Sequence, residues 1–200
     1  MRLLFLLAGA LALTSCSETA VETKAKKYAD PLPPVTGRMA FQSTYPSARG
    51  WAPDAEPMLV RSMNLAGTKA AAGKAGLWEV TYVSKSKAAA RVFTWSAMED
   101  DKLHQGVYAS PQQSFGGSST QRAFPPAALR SDTDEAFEKA HEASEAFLKT
   151  PGDKPEITYL LESTSRFPNP VWRVLWGVSV GSAKRQVFVD ATLGEVVGKE

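Results

Sequence analysis

The strongest constraint on this chain is a pair of strands near its C-terminus, spread over VWRVLWGVSVGSAKRQVFVDATLGEVV from Val171 to Val197. Trp172, Val174, Trp176 and Val178 point one way, and Arg173, Leu175, Gly177 and Ser179 point the other. Period two with aromatic and β-branched enrichment specifies a sheet strand. A second strand, from Gln186 to Ala191, runs into Asp190-Ala191-Thr192-Leu193-Gly194. There the Asp190 carboxylate can accept turn amides, and Gly194 can take a positive φ without steric cost. The same pattern occurs earlier. Leu77-Trp78-Glu79-Val80-Thr81-Tyr82 aligns with Val171-Trp172-Arg173-Val174-Leu175-Trp176 at an offset of 94, and Val92-Phe93-Thr94-Trp95 aligns with Val187-Phe188-Val189-Asp190 at an offset of 95. The inward set keeps its chemistry, as a shared core layer requires. This predicts an internal duplication in which Trp78 and Trp172 occupy equivalent buried sites in two homologous sheets.

The elements around these strands follow the same logic. Residues 131–150 read as a helix: Asp132 with Glu135 suggests a capping box, Phe137, Ala140, Ser144, Phe147 and Leu148 make one apolar face, and Pro151-Gly152 stops it. Such a helix must lie on a sheet to be stable. The pattern over 36–51 is weakly helical, and Pro46 predicts a short or kinked helix there. Strands are expected over 57–65, 77–84, 91–97 and 157–163, with 103–109 as an edge. The Ser/Gly/Pro/Gln-rich stretch 108–130 reads as a connector pinned by Phe115 and Phe124.

The N-terminus carries a different signal. Arg2 supplies a positive start and Leu3 to Leu13 an apolar run too short to span a membrane. It ends Leu13-Thr14-Ser15-Cys16, which resembles the bacterial lipobox: an aliphatic residue, two small ones, then the cysteine that receives lipid. That resemblance implies removal of residues 1–15 and diacylglyceryl and fatty-acyl (palmitate-type) attachment at Cys16. Cys16 is the only cysteine, so no internal disulfide or thiolate metal site can form. Ser17 to Pro34 is charged and ends in prolines, as a flexible tether would. Its ends would lie about 25 Å apart on average and about 60 Å apart when stretched.

A helix followed by three antiparallel strands, with Pro170-x-Trp172-x-Val174 and a final Val189-Asp190-Ala191-x-x-Gly194-Glu195-Val196 turn, resembles the PepSY domain. The resemblance covers 131–200, with a more diverged copy over 35–110 that lacks the Asp-Ala…Gly-Glu turn. It extends to uncharacterised bacterial envelope lipoproteins sharing Phe167-Pro168-Asn169-Pro170-x-Trp172-Arg173-Val174. It implies an α+β fold of two repeated helix-plus-antiparallel-sheet (PepSY/cystatin-like) units joined by 111–130, after a lipidated tether over 16–34. It also implies a non-catalytic binding or inhibitory module with no cofactor.

The residues point the same way. A net charge of +2, with basic residues scattered, gives no electrostatic case for nucleic acid. His104 falls in a turn or edge strand and His141 beside an apolar helix face, and no ligand-spaced pair, Gly-x-Ser-x-Gly or phosphate loop is present. No catalytic or metal-binding residue is therefore expected. Two functional classes remain: an envelope protein that binds another protein or a peptide, or a structural accessory subunit of an outer-membrane assembly. In both, Cys16 holds the protein to the membrane. Ser17, in place of an aspartate associated with inner-membrane retention, points to the outer membrane, with the globular part facing the periplasm.

Overall fold

The computed structural model describes residues 28–68, 72–152 and 155–200. Cys16 and most of the tether lie outside them. In chain order, a short β1 (Val35–Thr36) leads into α1 (Gly37–Trp51), then β2 (Glu56–Met63), the two-residue β3 (Lys74–Ala75), β4 (Leu77–Ser84), β5 (Ala89–Ser96), β6 (Gly106–Ala109) and β7 (Gln113–Ser114). After a 3-10 turn at Pro126–Ala128 come α2 (Thr133–Glu142), α3 (Glu145–Lys149), β8 (Ile157–Glu162), β9 (Val171–Trp176), β10 (Arg185–Asp190) and β11 (Val196–Lys199). The fold is α+β. None of the helices among the described residues is long and apolar enough to cross a membrane.

The connectivity repeats: a helix, then four antiparallel strands, in each half. The fourth strand, β11, extends the three expected after the turn at Asp190. The two sets of strands do not close separate sheets. They form one nine-stranded sheet in the order β11-β10-β9-β8-β2-β4-β5-β6, with β7 beside β5. The seam is the antiparallel pair β2–β8, in which Leu59, Val60 and Arg61 face Glu162, Leu161 and Leu160. Each four-stranded set alone would present an unpaired row of amides and carbonyls at β2 or β8, and pairing them removes both edges.

Register places Val60, Val80, Leu161, Trp172 and Val189 on one face, with Trp78, Tyr82, Phe93 and Trp176 in the same layer. Both helices cover that face, and the result is one hydrophobic core across both halves. Three of its tryptophans, Trp78, Trp172 and Trp176, are fully buried. Each large side chain withdrawn from water contributes roughly 1.5–3 kcal/mol.

Two helices differ from the sequence expectation, each for a local reason. α1 runs unbroken through Pro46. The proline ring and Gln42, whose carbonyl loses its donor, both lie on the exposed side, where solvent can take the place of the missing bond. The buried side of that turn is held instead by Thr44, whose hydroxyl reaches the carbonyls of Ala40 and Phe41. The helix expected over 131–150 is divided at Ala143 and Ser144. Arg185 from β10 donates to the Ala143 carbonyl at 3.1 Å and to Ser144 Oγ at 3.3 Å, placing a cation on the last carbonyls of α2.

The two helix N-termini meet. Asp132 Oδ1 accepts from its own helix at Thr133 N (2.7 Å) and from Arg38 N at the start of α1 (2.9 Å). Thr133 Oγ1 accepts from Gly37 N at 2.8 Å. The expected reciprocal partner Glu135 is exposed, and Arg38 N is the second amide that Asp132 serves. Close approach demands a glycine at 37: a Cβ there would lie 2.5 Å from the Trp172 ring.

Candidate functional site

Trp78 and Trp172 sit at the centre of the molecule, their rings 6.5 Å apart at 71°. The Trp78 indole donates to the Val35 carbonyl at 3.0 Å, and the Trp172 indole to the Ser131 carbonyl at 2.9 Å. Each acceptor lies one residue before the cap of its own half's helix, Thr36 or Asp132. Both indoles are fully buried, so neither can touch a ligand from solvent.

Asp190 is buried too, although Leu193 and Glu195 of its turn face solvent. Asp190 Oδ1 accepts from Thr192 N (2.8 Å) and Leu193 N (2.9 Å), and Oδ2 accepts from Asn169 Nδ2 at 2.9 Å. Gly194 has φ +74° and donates to the Asp190 carbonyl. The turn braces the start of α2, since the Ala191 carbonyl accepts from the amides of Arg130 and Ser131. The histidines lie apart: His104 stacks on Tyr108 at 4.6 Å and His141 packs against Phe137.

Perturbed groups follow burial and local hydrogen bonds. Burial pushes the Tyr159 phenol up to about 12, against a small opposing effect from its bond to Gly73 N. Burial likewise raises Tyr82, whose hydroxyl pairs with Thr44. Asp54 is held well below the usual carboxylate range, first by the Ser84 hydroxyl and then by the Ser86 amide. These three groups stand on separate elements, with no reacting constellation among them.

The sheet face away from the helices offers a different kind of surface. Its central row runs Phe188, Arg173, Leu160, Arg61, Glu79, Thr94. Leu59 and Leu175 stand in the rows on either side. The connector crosses one end, where Gln121 Nε2 donates to Glu162 and Arg122 bridges to Ser163. The Gly177–Ser182 turn forms the other wall. Between them lies a groove of about 540 Å³, lined half by the apolar Leu59, Met63, Leu160, Leu175, Val178 and Val180 and half by Arg61, Ser62, Asn64, Gln121, Thr158 and Ser179, with Leu175 itself only 2% exposed. Val178 is 69% exposed and Val180 39%.

The charges on this face pair with one another. Arg61 grips Glu79 through Nε (2.6 Å) and Nη2 (2.5 Å). Arg173 meets Glu162 at 3.1 Å and Glu200 at 3.7 Å, donates to Gln186 at 2.7 Å, and lies over the Phe188 ring. Strand alternation placed Leu175 on the outward side. The sequence signal for the groove was leucine where a solvated face prefers a polar residue.

No protein-family model and no curated protein matches the sequence. Among solved structures, the chain is similar to a candidate lipoprotein of Clostridium difficile 630, with TM-score 0.48 and 9% identity over 86% of this chain and 99% of that one.

Proposed function

We propose that this is a lipid-anchored envelope protein that binds another protein through the uncovered face of its sheet and catalyses no reaction. The observation that carries the reading is the groove of Leu59, Leu160 and Leu175. A sheet face meant only for water alternates to polar residues, and this one keeps the partly exposed Leu59 and Leu160 beside the exposed Val178 and Val180. The anchor is Cys16, placed by the lipobox-like Leu13-Thr14-Ser15-Cys16, and Ser17 after it favours the outer membrane. The globular part is read as two diverged PepSY-like copies. The repeated order of helix and four strands supports this, as do the matched indole bonds of Trp78 and Trp172.

Two experiments test the reading. Cys16→Ser is expected to abolish incorporation of labelled palmitate and to move the protein out of the outer-membrane fraction; wild-type behaviour of that variant would remove the anchor from the proposal. A photoreactive residue at Leu160 is expected to crosslink a partner in cells, whereas one at the exposed helix position Gln42 is not. Equal labelling from both positions, or none from Leu160, would remove the docking face.

A further inference from the structure

We propose that one end of the sheet, the end to which residues 28–32 are fastened, rests on a lipid bilayer through Leu32, Met63, Val178 and Val180. The inference rests on the Cys16 anchor proposed above and adds which end of the molecule meets the membrane. Strand direction gathers these residues. Because neighbouring strands are antiparallel, the close of β2, the start of β4, the β5–β6 turn and the β9–β10 turn all fall at one end. The surface there is continuous. Val178 and Val180 line one groove with Met63 and Asn64. The chain then runs to Gly67, where a Cβ would lie 3.4 Å from Met98 Sδ, and beside Met98 the Ala97 carbonyl accepts from Leu32 N at 2.8 Å. Leu32 is 42% exposed and Met63 37%. Of the turns at the opposite end, the one after Asp190 exposes Leu193, while the β4–β5 turn exposes Lys85, Ser86, Lys87 and Ala88.

Chain length selects the occupant. Tyr28 donates to Asp101 Oδ1 at 2.6 Å, and Gln105 Nε2 donates to the Asp30 carbonyl at 2.8 Å. With the Leu32 bond, these fasten the chain to the β5–β6 turn from Tyr28 onward. Twelve residues, 16–27, join that point to the anchor. Fully extended they reach about 40 Å, and a body of about 170 residues is itself about 40 Å across. The fastened end therefore stays towards the bilayer, and the opposite end meets it only with the chain drawn taut around the body. Apolar side chains held this close to lipid gain burial without a separate association step, because the anchor supplies a high effective concentration. Charge does not drive the contact. Lys102 and Lys184 stand at this end with Glu99, Asp100 and Asp101, which gives no net attraction for anionic lipid. Contact is thus expected on zwitterionic lipid, and the floor of Leu59 and Leu160 stays open to a protein beside the membrane.

The test uses the acylated protein in nanodiscs of zwitterionic lipid that carries a headgroup quencher. With Cys16 acylated, Ala66→Cys, Ser179→Cys, Lys87→Cys and Leu193→Cys each offer one site for a thiol-reactive fluorophore. Quenching is expected from the first two, at the fastened end, and not from the last two. Val178→Asp combined with Met63→Asp should lower the signal at position 179 to the level at 193. Val178→Asp alone, in an exposed turn, gives the same readout if the double variant does not fold. Quenching alike at both ends, at neither, or stronger at 87 and 193 would overturn the inference. Quenching at 66 and 179 that the aspartates leave unchanged would refute the apolar contact, with chain length alone then setting the orientation. The anchor is read separately from the intact mass. A protein without acyl chains would overturn the anchor and this inference together, whereas an acylated protein quenched alike at both ends would overturn this inference only.

Discussion

Replacing Asp132 tests whether the two helices are held by one carboxylate. Asp132→Ala removes the cap of α2, which costs about 0.5–2 kcal/mol at a typical N-cap. It also strands the Arg38 amide, which Asp132 Oδ1 reaches at 2.9 Å. A buried amide left unpaired costs about 1–3 kcal/mol, and this part-buried one belongs in the lower half of that range. Together the loss should be about 2–4 kcal/mol. Asp132→Asn keeps an acceptor and loses the favourable interaction of a negative charge with two helix N-termini, about 0.3–1 kcal/mol each, together with its 3.6 Å ion pair to the partly exposed Arg38 guanidinium. A chain of this size loses about 2–4 °C in Tm per kcal/mol. The alanine variant should therefore melt about 5–15 °C lower and the asparagine variant only a few degrees lower, by calorimetry. An alanine variant melting within about 2 °C of wild type would refute the shared-carboxylate argument. Equal losses in both variants would show that the charge, not the acceptor geometry, carries the effect.

Trp78→Ala and Trp172→Ala should each cost about 3–5 kcal/mol, and iodide should quench neither indole in folded variants that retain one tryptophan at a time; quenching of either would contradict its full burial. Asp190→Ala and Gly194→Val should each lower stability by about 1–3 kcal/mol in chemical denaturation, through orphaned turn amides and a forced positive φ respectively; unaltered melts with lost partner binding would instead give the turn a recognition role. Tyr159 should titrate near 12 by ultraviolet absorbance of tyrosinate. Its folded value lies above the ordinary tyrosine value of about 10, so the stability it contributes is complete below pH 10 and is lost as pH rises towards 12. Tyr159→Phe should make that alkaline limb shallower, the buried Tyr82 contributing to what remains, and an unchanged limb would exclude Tyr159 as a source.

Period two was decisive where one face met the core. The strand Leu77–Ser84 was readable to the residue, and Trp172, Val174 and Trp176 announced their layer. The seam between Leu59–Arg61 and Leu160–Glu162 was not readable, because partner choice between two edges depends on residues about a hundred positions apart. Pro46 misled because a proline's cost depends on which side of the helix faces water. Asp132 looked like a local cap, and its second amide belongs to another helix. Leu175 was visible as an outward leucine, yet the groove needs Leu59 and Leu160 from two other strands to form.

The seam also orders events as the chain emerges N-terminus first. Leu59 waits for Glu162, and until that residue arrives β2 exposes a full strand edge beside a finished β4–β5 hairpin. Contacts this distant slow folding, and an open edge invites pairing with other chains meanwhile. A nascent or truncated molecule ending in the connector is thus the sticky species, and its aggregation would follow the length of time β2 stands unpaired. A holdase that shields strand edges should speed recovery of the native protein more than one that shields helices.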